Sequence, residues 1–165
     1  MDLFTNYSTV FFVDESYYLR YIISVQENKM QKIEWNDSYL LGIPEIDNQH
    51  KKLLAVANDL YDAASGSAGN YMIKMSKVLK ALTDYTVYHF GEEEKFMKKY
   101  GYDAVALHKK EHDGFVVEVN NQIQKLGTGS QKDALVFYSF VAGWVLTHIA
   151  KKDRVWAAFV KTRLV

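Results

Sequence analysis

The chain has 165 residues, 48% of them hydrophobic and 24% charged, the profile of one folded domain with room for a sizeable core and not of a disordered chain. With 20 basic and 20 acidic residues its formal charge is zero, so it lacks the positive field that nucleic-acid binding needs. It has no cysteine, which excludes disulfides, iron–sulfur clusters, cysteine-ligated zinc and haem attachment through CxxCH and leaves nitrogen and oxygen to hold any metal.

One proline and nine glycines suit long helices better than a turn-rich β protein. No stretch approaches about eighteen apolar residues free of charge, so no transmembrane helix is expected. The N-terminus has no basic leader and no small-residue cleavage site, and it carries Asp14, Glu15 and Arg20 inside its apolar stretch. A secretory signal is therefore not expected, and the cytoplasm is the default location.

Residues 1–29 form an N-terminal extension rich in aromatics, among them Phe4, Tyr7, Phe11, Phe12, Tyr17, Tyr18 and Tyr21. Its apolar positions give only a ragged helical period over 10–25. It reads either as a docking segment for a partner or, by preference, as a loosely packed appendage ahead of a true start at Met30. The domain proper covers 30–165. Residues 31–43 read as an ordered loop whose Trp35 and Tyr39 cover the end of a core. Pro44, with Glu45 and Asp47 behind it, opens a first helix that runs to about Ala64. A Ser/Gly-rich stretch at 65–69 stops it. The second helix spans Tyr71 to Lys99 with an apolar period of about eight turns, and Gly101 ends it. Asp103 is placed to cap the third helix, which reaches Leu126 before the glycines of 127–129. Ser130 and Asp133 form a partial capping box for the fourth, which carries Trp144, Val145 and His148 and fades after Asp153. The tail from Val155 to Val165 can fold back as a short helix. Short connections between four helices predict an all-α, antiparallel up-down-up-down four-helix bundle.

The chemistry lies in HFGEE and HKKEH. His89 and Glu93 are four apart, as are His108 and His112, so each pair shares one helix face. His50 and His148 complete the chain's five histidines, and all five fall on stripes facing the bundle interior. A lone histidine on such a stripe is usually an ordinary core residue. Five of them there, with Glu93 and Asp153, would be expensive to bury without partners, so metal ligation is the better joint reading. Seven ligands exceed what one zinc ion takes, and calcium or magnesium prefers oxygen alone. Imidazole with carboxylate suits iron, and also manganese, copper or zinc in paired sites. The segment His108 to His112 also fits the H-x-x-E-H pattern of a zinc protease family, but that reading leaves five of the other groups without a role. A ferritin-like site is disfavoured, because no histidine here has a glutamate three residues before it.

The runs W-N-D…L-G-I-P-E-I-D-N-Q-H-K-K-L-L, H-F-x-x-E, H-x-x-x-H and H-I-x-x-x-D, over about 33–153, resemble the hemerythrin family in its bacterial form. The resemblance implies a non-haem centre of two iron ions with an oxo or hydroxo bridge. Glu93 and Asp153 would bridge the irons, His108, His112 and His148 would complete one, and His50 and His89 would bind the other. One coordination position would stay open on the iron with two histidines. The resemblance further implies an apolar O2 pocket from Phe90, Trp144, Val145 and Ile149. The same four residues also read as plain core. A dry pocket without an acid would favour reversible O2 binding for storage, delivery or sensing over chemistry on it. Tyr85 and Tyr88 are the side chains that could supply a proton instead. The alternatives are a di-iron enzyme acting on peroxide, nitric oxide or ferrous iron, and a purely structural or interaction bundle. The chain is expected to be a monomer or weak homo-oligomer, with no nucleic-acid or membrane partner.

One spacing is odd. His148 and Asp153 are five apart, about 140° around an α-helix, so both cannot face one site from a regular helix. A bulge or loosened turn of π type is expected between Ile149 and Asp153.

Overall fold

The computed structural model describes residues 31–66, 71–126 and 130–164. The expectations for 1–29, for a start at Met30 and for the stops at 67–69 and 127–129 lie outside the described residues. Four long helices carry the described chain: α1, Pro44–Ser65; α2, Tyr71–Lys99; α3, Val105–Leu126; and α4, Gln131–Thr147. A π turn, His148–Asp153, joins α4 to α5, Arg154–Lys161. Helix α1 lies against α2 and α4, and α3 lies against the same two. That closes the ring of an up-down-up-down bundle.

The ends of the helices follow local chemistry. Pro44 occupies the first turn of α1, where its missing N–H costs nothing. Asp47 does more than favour the helix dipole. Its buried carboxylate accepts from the Leu41 N–H at 2.7 Å and the Gly42 N–H at 3.0 Å. Gly42 makes this return possible with φ of 79°, a region that only glycine enters cheaply. At the end of α2, Gly101 has φ of 70°, with Tyr102 N–H donating to Met97 O at 2.9 Å and Gly101 N–H to Lys98 O at 3.1 Å. This is a Schellman stop. Helix α3 begins at Val105, later than a cap at Asp103 implies; the first turn closes with His108 N–H donating to Ala104 O at 3.0 Å. Helix α4 has a full capping box, Ser130 accepting from the Asp133 N–H while the Asp133 carboxylate accepts from the Ser130 N–H.

One expectation needs correction. The run from Ala134 to Ala150 contains no charged residue, and Gln131–Lys161 is long and apolar enough to cross a membrane by length and composition. Its apolarity has a bundle cause: Ala134, Phe137, Val141, Ala142 and Val145 are all buried, so α4 is apolar as a central core helix is.

The apolar interior is split in two by a polar layer. The larger core holds Leu53, Phe90, Phe115, Val119, Phe137 and Ile149, with Trp35 and Tyr39 packed at its margin as expected. The smaller core holds Leu41, Ile43, Ile46, Met97, Trp156 and Val160, and α5 folds back to complete it. Ile46 and Leu53 flank His50, Phe90 and Met97 flank Glu93, and Ile149 and Trp156 flank Asp153. Three helices thus interrupt their apolar stripes at the same level.

Candidate metal centre

All seven residues singled out by spacing meet in that layer, and all are buried. His50 comes from α1, His89 and Glu93 from α2, His108 and His112 from α3, and His148 and Asp153 from the two ends of the π turn. The i-to-i+5 ladder of a π turn sets residues five apart one above the other, as an α-helix does for residues four apart. The spacing that could not work in a regular helix works here for that reason.

Both carboxylates divide their oxygens between two groups of imidazoles. Glu93 Oε1 lies 3.2 Å from His50 Nε2 and 3.6 Å from His89 Nε2. Its Oε2 lies 3.2 Å from His112 Nε2 and 3.6 Å from His108 Nε2. Asp153 Oδ1 is 3.2 Å from both His108 Nε2 and His148 Nε2, while Oδ2 faces His50 Nε2 at 3.4 Å. His148 Nε2 is 3.1 Å from His112 Nε2 and 3.2 Å from His108 Nε2. Metal–nitrogen bonds of about 2.1 Å would hold cis ligands about 3.0 Å apart, so this convergence is what one ion requires.

The donor set fits a metal for a second reason. His50 Nδ1 is buried and, among the described residues, makes no hydrogen bond, while the buried Glu93 Oε2 and Asp153 Oδ2 face nothing polar but imidazole nitrogens of the cluster. An unmet buried nitrogen costs about 1–3 kcal/mol, and two buried carboxylates need facing positive charge to be tolerated at all, against a net stability of about 5–15 kcal/mol for a whole domain. A purely structural cluster would not carry that load. Electrostatics point the same way. Burial raises the Glu93 carboxyl and Asp153 adds to it, but His89, His108 and His112 outweigh both and hold it well below the usual carboxylate range. Burial also raises Asp153, and His148, His108 and His50 outweigh it in turn. Burial pushes His50 and His108 down, yet the Asp153 and Glu93 carboxylates carry each up to about 9. Burial prevails at His89, which is pushed down to about 4. The carboxylates thus favour protons on His50 and His108, and cations binding the same donors would displace such protons.

Two of the residues expected to line an O2 pocket lie against imidazoles of the cluster. Phe90 stacks on His112 with ring centres 3.8 Å apart, and Trp144 stacks on His148 at 4.2 Å. Both rings thus back the three-histidine half. Val145 and Ile149 are buried in the larger core. Tyr85 donates its hydroxyl to the Gln49 carbonyl at 3.2 Å, and Tyr88 is 51% exposed. Sequence reasoning missed the groups behind the histidines. Gln49 Oε1 lies 3.0 Å from His89 Nδ1, Glu94 Oε1 lies 3.3 Å from His112 Nδ1, and Glu111 Oε2 lies 3.6 Å from His148 Nδ1. Glu111 is the glutamate of HKKEH, so the residue that suggested a protease serves instead beside a histidine of another helix. Each is adjacent to a ligand in sequence, the one signal that could have found it.

Fold and site together define a helical bundle built around a cation site of imidazole and carboxylate donors. Residues 41–160 match the model of the hemerythrin HHE cation binding domain, and the chain belongs to the hemerythrin family. It is 35% identical to a bacteriohemerythrin of Clostridium acetobutylicum over 124 residues, 73% of this chain and 95% of that one. It is 37% identical to one of Methylococcus capsulatus over 110 residues, covering 67% and 82%. A crystal structure of wild-type hemerythrin superposes with a TM-score of 0.68 at 30% identity, over 79% of this chain and 98% of that one.

Proposed function

We propose that this chain binds O2 reversibly at two iron ions joined by an oxo or hydroxo bridge, and stores, delivers or senses oxygen in the cytoplasm as a monomer or weak homo-oligomer. The observation that carries this reading is the sharing of both carboxylates between unequal sets of imidazoles. Glu93 Oε2 and Asp153 Oδ1 face His108, His112 and His148, whereas Glu93 Oε1 and Asp153 Oδ2 face His50 and, for Glu93, His89. The second set is one imidazole short, which leaves room for an exchangeable ligand. Bound there, an iron pair supplies the electrons and the open position that O2 binding needs.

The chain's own residues set the outcome. Five imidazoles and two carboxylates hold the ions inside the bundle, and the rings of Phe90 and Trp144 with Val145 and Ile149 keep water from the layer. None of these four lining residues carries an acid, and Tyr85 spends its proton on a backbone carbonyl. Apolar packing around the layer and an engaged Tyr85 hydroxyl supply no proton for O–O cleavage, which favours reversible binding over turnover. Oxygen binding is also the function of the hemerythrin family.

The test is visible absorption of the iron-loaded protein through cycles of oxygenation and deoxygenation. A charge-transfer band that appears with O2, vanishes on its removal and is missing in His89→Ala is the expected result. A band that never reverses, together with turnover of peroxide, nitric oxide or ferrous iron, would assign the site to a di-iron enzyme.

A further inference from the structure

We propose that the two metal positions differ in strength and that Glu94 and Glu111 make the three-histidine position the tighter one. The inference rests on the two-ion reading above and adds what stands behind the ligands. A ligating imidazole turns its outer N–H to a second group, which fixes its tautomer and raises its basicity. A carboxylate does so more strongly than a neutral amide.

The two halves of the site are supplied differently. Behind the three-histidine half stand two carboxylates. Glu94 Oε1 is 3.3 Å from His112 Nδ1 and its side chain is only 13% exposed. Glu111 Oε2 stands at ion-pair distance, 3.6 Å, from His148 Nδ1. Its other oxygen accepts from Lys152 Nζ at 2.9 Å, which fastens α3 to the π turn and keeps the carboxylate in place. Behind the two-histidine half stands the neutral amide of Gln49, 3.0 Å from His89 Nδ1. The His50 Nδ1 is buried and, among the described residues, makes no hydrogen bond. An imidazole that must keep a proton on an unmet nitrogen is a poorer ligand than one whose proton is shared with a carboxylate.

Loading is therefore ordered. The first ion enters among His108, His112 and His148, and the second enters beside His50 and His89. The half with room for an exchangeable ligand is also the half that loses its ion first. Ligand count alone gives the same order, so the test turns on the residues behind the ligands.

The full chain, stripped of metal, is titrated anaerobically with Co2+ alone and followed by calorimetry, visible d–d absorption and native mass spectrometry. Two resolved steps are expected for the natural sequence. Glu94→Gln and Glu111→Gln each weaken the first step, by about 10–100-fold, and narrow the gap between the steps. Gln49→Glu strengthens the second step, a gain that damage to the fold cannot produce. Circular dichroism of each metal-free variant verifies that the bundle persists. Two equal steps in the natural sequence, or a first step that neither glutamine variant moves, would overturn the proposal and leave the two-ion reading standing. A single ion per chain would instead overturn the two-ion reading itself.

Discussion

Tyr85 lies one turn before His89 on α2, close enough in sequence to raise the question of proton supply. Its hydroxyl is directed at the Gln49 carbonyl of α1, and burial, with Tyr88 nearby, pushes it up to about 12. At neutral pH it keeps its proton and shares it with a backbone group. Tyr85→Phe is therefore expected to leave the O2 band of the proposed carrier reversible and its lifetime unchanged while lowering stability by about 1 kcal/mol, the worth of an ordinary hydrogen bond. Thermal melts and repeated oxygenation cycles measure the two effects, and a band that no longer reverses in the variant would make the hydroxyl part of the site. The seven residues of the cluster could be read from the sequence because each sits on an apolar stripe where an unpaired polar group is costly. Gln49, Glu94 and Glu111 could not. A polar residue beside a ligand looks the same whether it meets solvent or an imidazole, and only the approach of a second helix distinguishes the two. Asp47 was legible as an acid in a first turn, but its bonds to Leu41 and Gly42 depend on how the loop returns.

Among the elements, the π turn from His148 to Asp153 was the most legible departure from regularity, because a five-residue separation cannot serve one site from an α-helix. The start of α3 was less so, since Ala104 and not the favourable Asp103 takes the capping position and no side-chain preference marks it. A π turn is an α-helix with one residue added. Deleting Lys151, which is exposed, would leave His148 and Asp153 four apart on one face of a regular helix with α5 in register. On the two-ion reading proposed above, the deletion is expected to keep two ions per chain. Inserting one alanine after Lys151 would instead turn Asp153 and Trp156 out of the interior and abolish binding of both ions. Native mass spectrometry with Co2+ counts the ions in each case. Loss of both ions in the deletion would show that the π turn supplies more than register.

At the scale of the whole molecule, the polar layer joins two apolar cores, so the state of its protons bears on the stability of the bundle. In the metal-free protein His50 and His108 are carried up to about 9 from an unfolded value of about 6.5. The folded state then binds more protons than the unfolded one between those values, so the stability these histidines contribute is full below about 6.5 and lost as pH rises through 9. Glu93 and Asp153 are held below their unfolded range; their contribution is present above about pH 4 and lost on acidification. His89, pushed down to about 4, works in the same direction as the carboxylates and costs stability as pH falls from about 6.5. The metal-free bundle should therefore weaken on both sides of neutrality. Metal reverses the alkaline limb. Ions and protons compete for the same nitrogens, so binding tightens as His50 and His108 lose their protons, and a ligand present at about a hundred times its dissociation constant adds about 2.7 kcal/mol. Calorimetric melts of the Co2+-loaded and metal-free proteins from pH 6.5 to 9.5 should diverge, the first holding steady or rising while the second falls. Parallel curves would mean that the imidazolium protons of the layer are not the ones that metal displaces.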